Sequence, residues 1–241
     1  ICVCASVPDC NQLWMGHWSG KIVVYEYKFS PARSHLEFHS EPVTLLGHSG
    51  PVQSIYICRS FSIVVTGSQD GTAVIWDLNN FKFIKMLQLG EIPVNLVSVS
   101  ETLGDIATVS SANAGTIEAT FEGSMLRLHS INAVPIGSVC TRDNITAICF
   151  SGAPEGVSVN VIAAGLANGA IRLWSTWDLS PVRDIITSYI ARPIISLTYS
   201  QDAQHLYASA ADGSVVIWEG GGGASLKGVS KTPKFLNLTS L

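Results

Sequence analysis

Residues 43–78, VTLLGHSGPVQSIYICRSFSIVVTGSQDGTAVIWDL, constrain the fold of this chain more than any other stretch. They carry Gly47-His48 near the start and Trp76-Asp77 near the end. Between these lie three apolar runs, at residues 52–58, 62–68 and 72–78, each rich in Val, Ile or Tyr and bounded by Gly, Pro, Asp or Ser. Such runs read as short strands, because β-branched and aromatic side chains suit a pleated surface and the bounding residues suit turns. Asp70-Gly71, between the second and third runs, predicts a tight primed hairpin turn with positive φ. Thr66 stands four residues before Asp70, and Trp76 six residues after it.

In that order these features resemble one repeat of the WD-repeat family. The resemblance implies a four-stranded blade of a β-propeller, with His48, Thr66, Asp70 and Trp76 at the positions of the family's structural hydrogen-bond tetrad. The chemistry of the four fits that role. The Trp76 indole donates, the Thr66 hydroxyl can donate and accept, His48 offers two ring nitrogens, and the Asp70 carboxylate accepts. Closed into a chain, they allow polar groups to be buried without a net desolvation loss. A Thr, His and Asp also evoke a catalytic triad, but no oxyanion-type turn accompanies them, and the spacing suits a network that locks a sheet.

The pattern recurs more weakly elsewhere. At the start, residues 1–6 read as an innermost strand. Residues 12–18 and 21–27 then form a hairpin around Ser19-Gly20, with Tyr25 six residues past Ser19. Met15 and Ser19 replace the strand hydroxyl and the turn Asp, so this blade lacks the tetrad. Residues 28–41 read as a polar loop, and 43–46 as the blade's outer strand. The second blade ends in an outer strand at 83–87. The third, with strands at 94–100, 105–110 and 125–130, is interrupted by a loop at 112–124. It has His129 where the closing Trp belongs and is expected to rest on apolar packing alone. The fourth, at 145–151, 159–166, 170–175 and 182–187, has an Asn168-Gly169 turn and Trp174. The fifth, at 194–200, 205–210 and 214–219, has Asp212-Gly213 and Trp218. Ala164 and Ala208 replace Thr66 in these two blades. The closing positions Tyr25, Trp76, His129, Trp174 and Trp218 recur at intervals of 51, 53, 45 and 44 residues, close to the period of such repeats.

The expected fold is therefore all-β: about five four-stranded blades over residues 1–219, either a closed five-bladed ring or part of a seven-bladed one. Residues 220–241 form a Gly-rich and basic tail, with residues 235–238 available as a last outer strand. Hydrophobic residues make up 47% and charged residues 13%, enough to build a large core and too apolar for extended disorder. A net charge of −4 argues against nucleic-acid binding through a broad basic face. No apolar run reaches the roughly 18 residues of a membrane span. The start, without Met or a basic, cleavable leader, reads as that of a fragment rather than of a secreted precursor. The six cysteines, Cys2, Cys4, Cys10, Cys58, Cys140 and Cys149, sit in apolar runs without disulfide spacing and read as reduced, buried thiols. Cys2, Cys4, Cys10 and His17 do not make a recognisable zinc pattern, so no metal or cofactor is expected. Two sequons, at Asn144 and Asn237, read as chance matches.

Beyond the repeats, WDLNNF, SETLGDIATV, PEGVSVNVIAAGLANGAIRLWSTWDLSPVR and RPIISLTYSQDAQHLYASAADGSVVIW are similar to the C-terminal propellers of BEACH-domain proteins. That resemblance covers residues 1–219 and is strongest from residue 43. It implies a non-catalytic interaction scaffold acting in the size and trafficking of lysosomes and lysosome-related organelles. Its partners would be proteins of the trafficking machinery and an upstream BEACH domain. Its place would be cytoplasmic and peripheral to lysosomes and endosomal vesicles, with membrane association through other domains. Two alternatives are a phosphoinositide-binding propeller and a substrate receptor of an ubiquitin ligase. The first requires an FRRG motif that Arg192-Pro193 does not supply. The second requires a WDxR signature that fails at Asn79. No convergent acid–base or nucleophile set marks an enzyme. Propellers of this family bind through loops just before the innermost strands and just before the turn Asp. Here these include Trp18, Ser49, Gln69, Glu91, Arg142, Asp143 and Arg192, where exposed Trp and Arg suit interface anchors.

Overall fold

The computed structural model describes residues 3–7, 11–30, 35–38, 41–111, 123–152, 160–186, 192–200, 202–219 and 234–236. Among them every regular element is a strand, and the strands form five sheets in chain order. The first sheet holds β1 (Val3–Val7), β2 (Gln12–Gly16), β3 (Lys21–Ser30), β4 (His35–Phe38) and β5 (Val43–Leu46). The second holds β6 (Val52–Cys58), β7 (Ile63–Ser68), β8 (Thr72–Asp77) and β9 (Phe83–Gln88), and the third β10 (Val94–Val99), β11 (Ile106–Ser111), β12 (Ser124–His129) and β13 (Pro135–Thr141). The fourth holds β14 (Ile145–Phe150), β15 (Val161–Leu166), β16 (Ile171–Ser175) and β17 (Pro181–Ile185), and the fifth β18 (Ile194–Tyr199), β19 (His205–Ala210), β20 (Val215–Glu219) and β21 (Lys234–Leu236). This is the WD-repeat β-propeller architecture: sequential antiparallel blades, four of them four-stranded, with β4 as an extra strand in the first. The chain forms two compact units, residues 1–97 and 98–241.

The middle strands β7 and β15 are buried along their whole length, while the outer strands β9 and β17 are largely exposed. In the first unit, Trp14, Ile22 and Val24 pack with Val52, Val64, Val74 and Trp76. In the second, Ala163, Ile171 and Leu173 pack with Ile194, Leu197, Leu206 and Trp218. A strand glycine lets neighbouring blades approach. A Cβ on Gly67 would lie 2.8 Å from Val94 Cγ1, and one on Gly165 2.5 Å from Ile194 Cγ2.

Register places the closing residues in one structural position. Trp76 stands opposite Val64, Trp174 opposite Ile162, Trp218 opposite Leu206, Tyr25 opposite Leu13 and His129 opposite Ile106. The pairing to the outer strand slips at Ile75/Trp76, Leu128/His129 and Leu173/Trp174. Thr108, opposite Arg127, is thus the counterpart of Thr66, opposite Val74.

Several expectations are corrected. The Asp-Gly turns are not of the primed type, since among the turn residues only the glycines have positive φ: Gly20, Gly71, Gly169 and Gly213, at 79° to 87°. Each glycine N–H donates to the carbonyl three residues back, as Gly71 does to Ser68 at 3.3 Å. The preceding side chain then caps the turn. Thr72 N–H donates to Asp70, Ala170 N–H to Asn168 and Ser214 N–H to Asp212, which holds those residues at ordinary φ.

The polar loop expected over 28–41 is partly strand. The apolar-polar alternation of β3 continues to Ser30 and pairs with β4, with Phe38 edge-on to Tyr25 at 5.4 Å. The third blade gains an outer strand, β13, that its opening proline and glycine disguise. Nor does that blade rest on apolar packing alone, since Arg127 donates to Ser110 Oγ and Ser111 bonds Ser124. Cys58 is buried, but Cys140 is exposed. Residues 1–2, 112–122, 220–233 and 237–241 lie outside the described residues. These include Cys2, the sequon at Asn237, most of the third-blade loop and most of the tail. Cys10 lies outside them as well.

Candidate functional site

The second blade carries one continuous polar chain. Trp76 Nε1 donates to Thr66 Oγ1 at 3.0 Å, and Thr66 Oγ1 lies 2.7 Å from His48 Nε2. On the other side of the ring, His48 Nδ1 lies 2.8 Å from Thr72 Oγ1, which donates to Asp70 Oδ1 at 2.6 Å. Asp70 Oδ2 accepts the Ser49 N–H at 2.7 Å. A carboxylate only accepts, so the single Thr72 proton is committed to Asp70 and Thr72 must accept from His48. His48 therefore carries its proton on Nδ1 and accepts on Nε2 from the Thr66 hydroxyl. In this arrangement every proton has an acceptor. Burial holds His48 below its ordinary value, only partly opposed by Asp70, so the ring is neutral. Burial pushes the Asp70 carboxyl up, but hydrogen bonds from the Thr72 side chain and from the Ser49 and Thr72 backbone hold it low.

Thr72 is the member that the sequence did not disclose. His48 Nδ1 is 3.6 Å from Asp70 Oδ2, beyond a hydrogen bond, and Thr72 spans the gap. The available signal was a hydroxyl two residues past the turn Asp, which recurs at Ser214 after Asp212. In the third blade the corresponding Thr108 Oγ1 and His129 Nδ1 are buried without a partner.

The network locks a rim. His17 O accepts from Val52 N–H at 3.2 Å, and a Cβ on Gly20 would run into the His48 carbonyl, so the β2–β3 turn lies against segment 48–52. Gln69 N–H donates to Pro51 O at 2.9 Å, while Ser68 Oγ donates to the Gly50 and Pro51 carbonyls. Leu89 N–H donates to Gly71 O, bringing segment 89–91 beside the same turn. Trp18, Ser49, Gln69 and Glu91 are thereby brought together at one end of the first unit. Trp18 is 71% exposed, and the other three are also exposed. Ser49 is committed through its N–H to Asp70.

The second unit repeats the device. Ala167 N–H donates to Asn144 O and Ala211 N–H to Pro193 O, each at 2.9 Å. Arg142 and Asp143 therefore lie beside the 167–169 turn, and Arg192 beside the 211–213 turn. Both arginines are exposed. Asp143 is half-buried and accepts from Asn168 Nδ2 at 3.3 Å. Among the described residues, no group of three His, Cys, Asp or Glu side chains is placed to hold a metal ion.

Comparison with known proteins places these features in a family. The model of the WD domain, G-beta repeat, matches residues 40–77 and 184–219. The human lysosomal-trafficking regulator is 45% identical over 216 residues, covering 89% of this chain and 6% of that protein. Its Drosophila melanogaster namesake is 33% identical over 75% of this chain and likewise 6% of its own length, so the chain spans only a small part of either relative. Among solved structures, Chaetomium thermophilum Sqt1 bound to the N-terminus of the ribosomal protein L10 matches with a TM-score of 0.67 and 19% identity. The match covers 89% of this chain and 58% of that one, a likeness of fold.

Proposed function

The chain is a WD-repeat chain homologous to the BEACH-type lysosomal-trafficking regulators, and from that premise we propose that it is a non-catalytic docking module in vesicle trafficking. It serves a larger protein that governs the size of lysosomes and lysosome-related organelles. Its partners are proteins, the trafficking machinery and a BEACH domain among them, and it works in the cytoplasm at the surface of those organelles.

The observation that carries the reading is the locked rim of the first unit. Four turns and segments are tied by backbone hydrogen bonds and the His48 network, and the turn that carries Trp18 leaves its side chain largely in solvent. A large rigid side chain held out at so little conformational cost suits a hot spot. Sqt1, a propeller of similar fold, is bound to the N-terminus of a ribosomal protein, which supports a peptide or protein as ligand here.

The test is proximity labelling by the chain in cells, wild type beside Trp18→Ala. Endosomal and lysosomal trafficking proteins should be enriched by the first and depleted with the second. Labelling indistinguishable between the two, or matching that of an unrelated propeller, would overturn the proposal.

A further inference from the structure

A groove of about 520 Å³ opens on the side of the second unit, between the outer strand β13 and the outer part of the fourth sheet. Its walls are Val139, Cys140 and Thr141 on one side and Val182 and Arg183 on the other, over a floor of Arg172 and Trp174. Neither the rim nor the closing-residue network accounts for it. We propose that this groove is a second docking site, which takes an extended acidic segment of a partner protein along the free edge of β13.

Backbone chemistry supports the extended form. β13 is the last strand of its sheet, and among the described residues no strand pairs with its outer edge. An edge of this kind presents N–H and C=O groups that a further strand satisfies, with affinity from the main chain and selectivity from alternate side chains. Pro135 supplies no N–H, so the usable edge begins at Ile136. Ile136 and Val134 are exposed at this end. The 176–179 turn abuts it, for a Cβ on Gly137 would lie 3.6 Å from Leu179 Cδ1, and Trp177 in that turn is 83% exposed. Apolar side chains of an added strand would find contacts there.

The floor is already organised. Arg172 donates to both carboxylate oxygens of Asp184, at 2.7 and 2.9 Å, and its guanidinium carbon lies 5.8 Å from the centre of the Trp174 ring. A two-point bond and a cation over an aromatic face hold the side chain in place before any ligand arrives.

Charge selects the occupant. The lining and the residues just after Thr141 hold Arg142, Arg172 and Arg183 against Asp143 and Asp184, an excess of one positive charge on a chain whose net charge is −4. A locally positive strip on an acidic molecule favours carboxylates and repels basic segments.

The probes are a capped octapeptide of alternating Glu and Val, its Lys and Val counterpart, and the Glu–Val peptide N-methylated at alternate positions. Binding is followed by backbone amide and Trp174 indole shifts in NMR spectra of the full chain. The Glu–Val peptide is expected to bind saturably and to shift residues 136–141 and Trp174. The Lys–Val peptide should not bind, and N-methylation should abolish binding by blocking the ladder. Arg183→Glu and Arg142→Glu, checked for wild-type melting, should each weaken binding, by roughly tenfold for a close charge contact. If one variant fails to fold, the other carries the test. Equal binding of the basic or N-methylated peptide, shifts confined to other surfaces, or no saturable binding would each overturn the proposal. So would vesicles of phosphatidylserine that shift the same residues when the acidic peptide does not. That result would make the groove a membrane contact.

Discussion

Thr66 and Thr108 occupy the same position in successive blades, yet the same substitution should destabilise the fold at the first and not at the second. Thr66 is fully buried and central to the polar chain: it accepts from Trp76 Nε1 at 3.0 Å and serves His48 Nε2 at 2.7 Å. Thr66→Val keeps the shape but strands an indole N–H and a ring nitrogen where water cannot reach them. Each orphaned buried group costs about 1–3 kcal/mol, so the expected loss is about 2–5 kcal/mol. At roughly 2–4 °C per kcal/mol for a chain of this size, Tm should fall by about 4–20 °C. Thr108 Oγ1 is buried without a partner, so Thr108→Val exchanges an unsatisfied hydroxyl for a methyl and should leave Tm unchanged or raise it. Both variants are read by thermal and urea melts followed by circular dichroism. Nitrogen NMR of His48 adds an independent check, since the donor chain requires the proton on Nδ1. Equal Tm shifts for the two variants, or a His48 proton on Nε2, would refute the network as described.

Acidification should destabilise the fold in two stages. His48 is held below its ordinary 6.5, by burial first, so the unfolded chain binds that proton more readily. The stabilisation is complete above about pH 6.5 and is lost as pH falls through the lower folded value. His129, lowered by burial and by Arg127, acts in the same sense. Asp70, held below 3.8, adds a second loss at pH values below that. A urea midpoint that stays flat from pH 7 to 4 would contradict the first stage. Asp70→Ala should cost about 1–3 kcal/mol, because Thr72 and Ser49 lose their acceptor, whereas Ser19→Ala in the first blade should do far less. Comparable melting shifts for these two would remove the case for a special network in the second blade. Gly71→Ala should cost about 1–3 kcal/mol or more, since φ is +79° and the new methyl would meet the Gly90 carbonyl; a melt within a degree of wild type would disprove that packing.

Much of this protein was determined locally and could be read from the chain. Strand positions follow from short apolar runs between Gly, Asp and Pro, because period-two burial and turn chemistry act over a few residues. The spacing from Asp70 to Trp76, repeated at Asn168–Trp174 and Asp212–Trp218, located the same structural position in three blades. His48, Thr66, Asp70 and Trp76 were legible as a candidate network only through the resemblance of their spacing to the WD-repeat tetrad.

Tertiary structure decided what depends on distance between separate segments. The 3.6 Å between His48 Nδ1 and Asp70 Oδ2 makes Thr72 the relay, and no spacing rule states that gap. The turns at Gly71, Gly169 and Gly213 took the unprimed form because Asp70, Asn168 and Asp212 cap the chain beyond them. β4 and β13 exist because a partner strand satisfies their backbone groups, which overrides a polar or proline-led composition. Thr66 and Thr108 differ for the same reason: one side chain meets Trp76 and His48, the other meets no hydrogen-bonding group, and only packing distinguishes them.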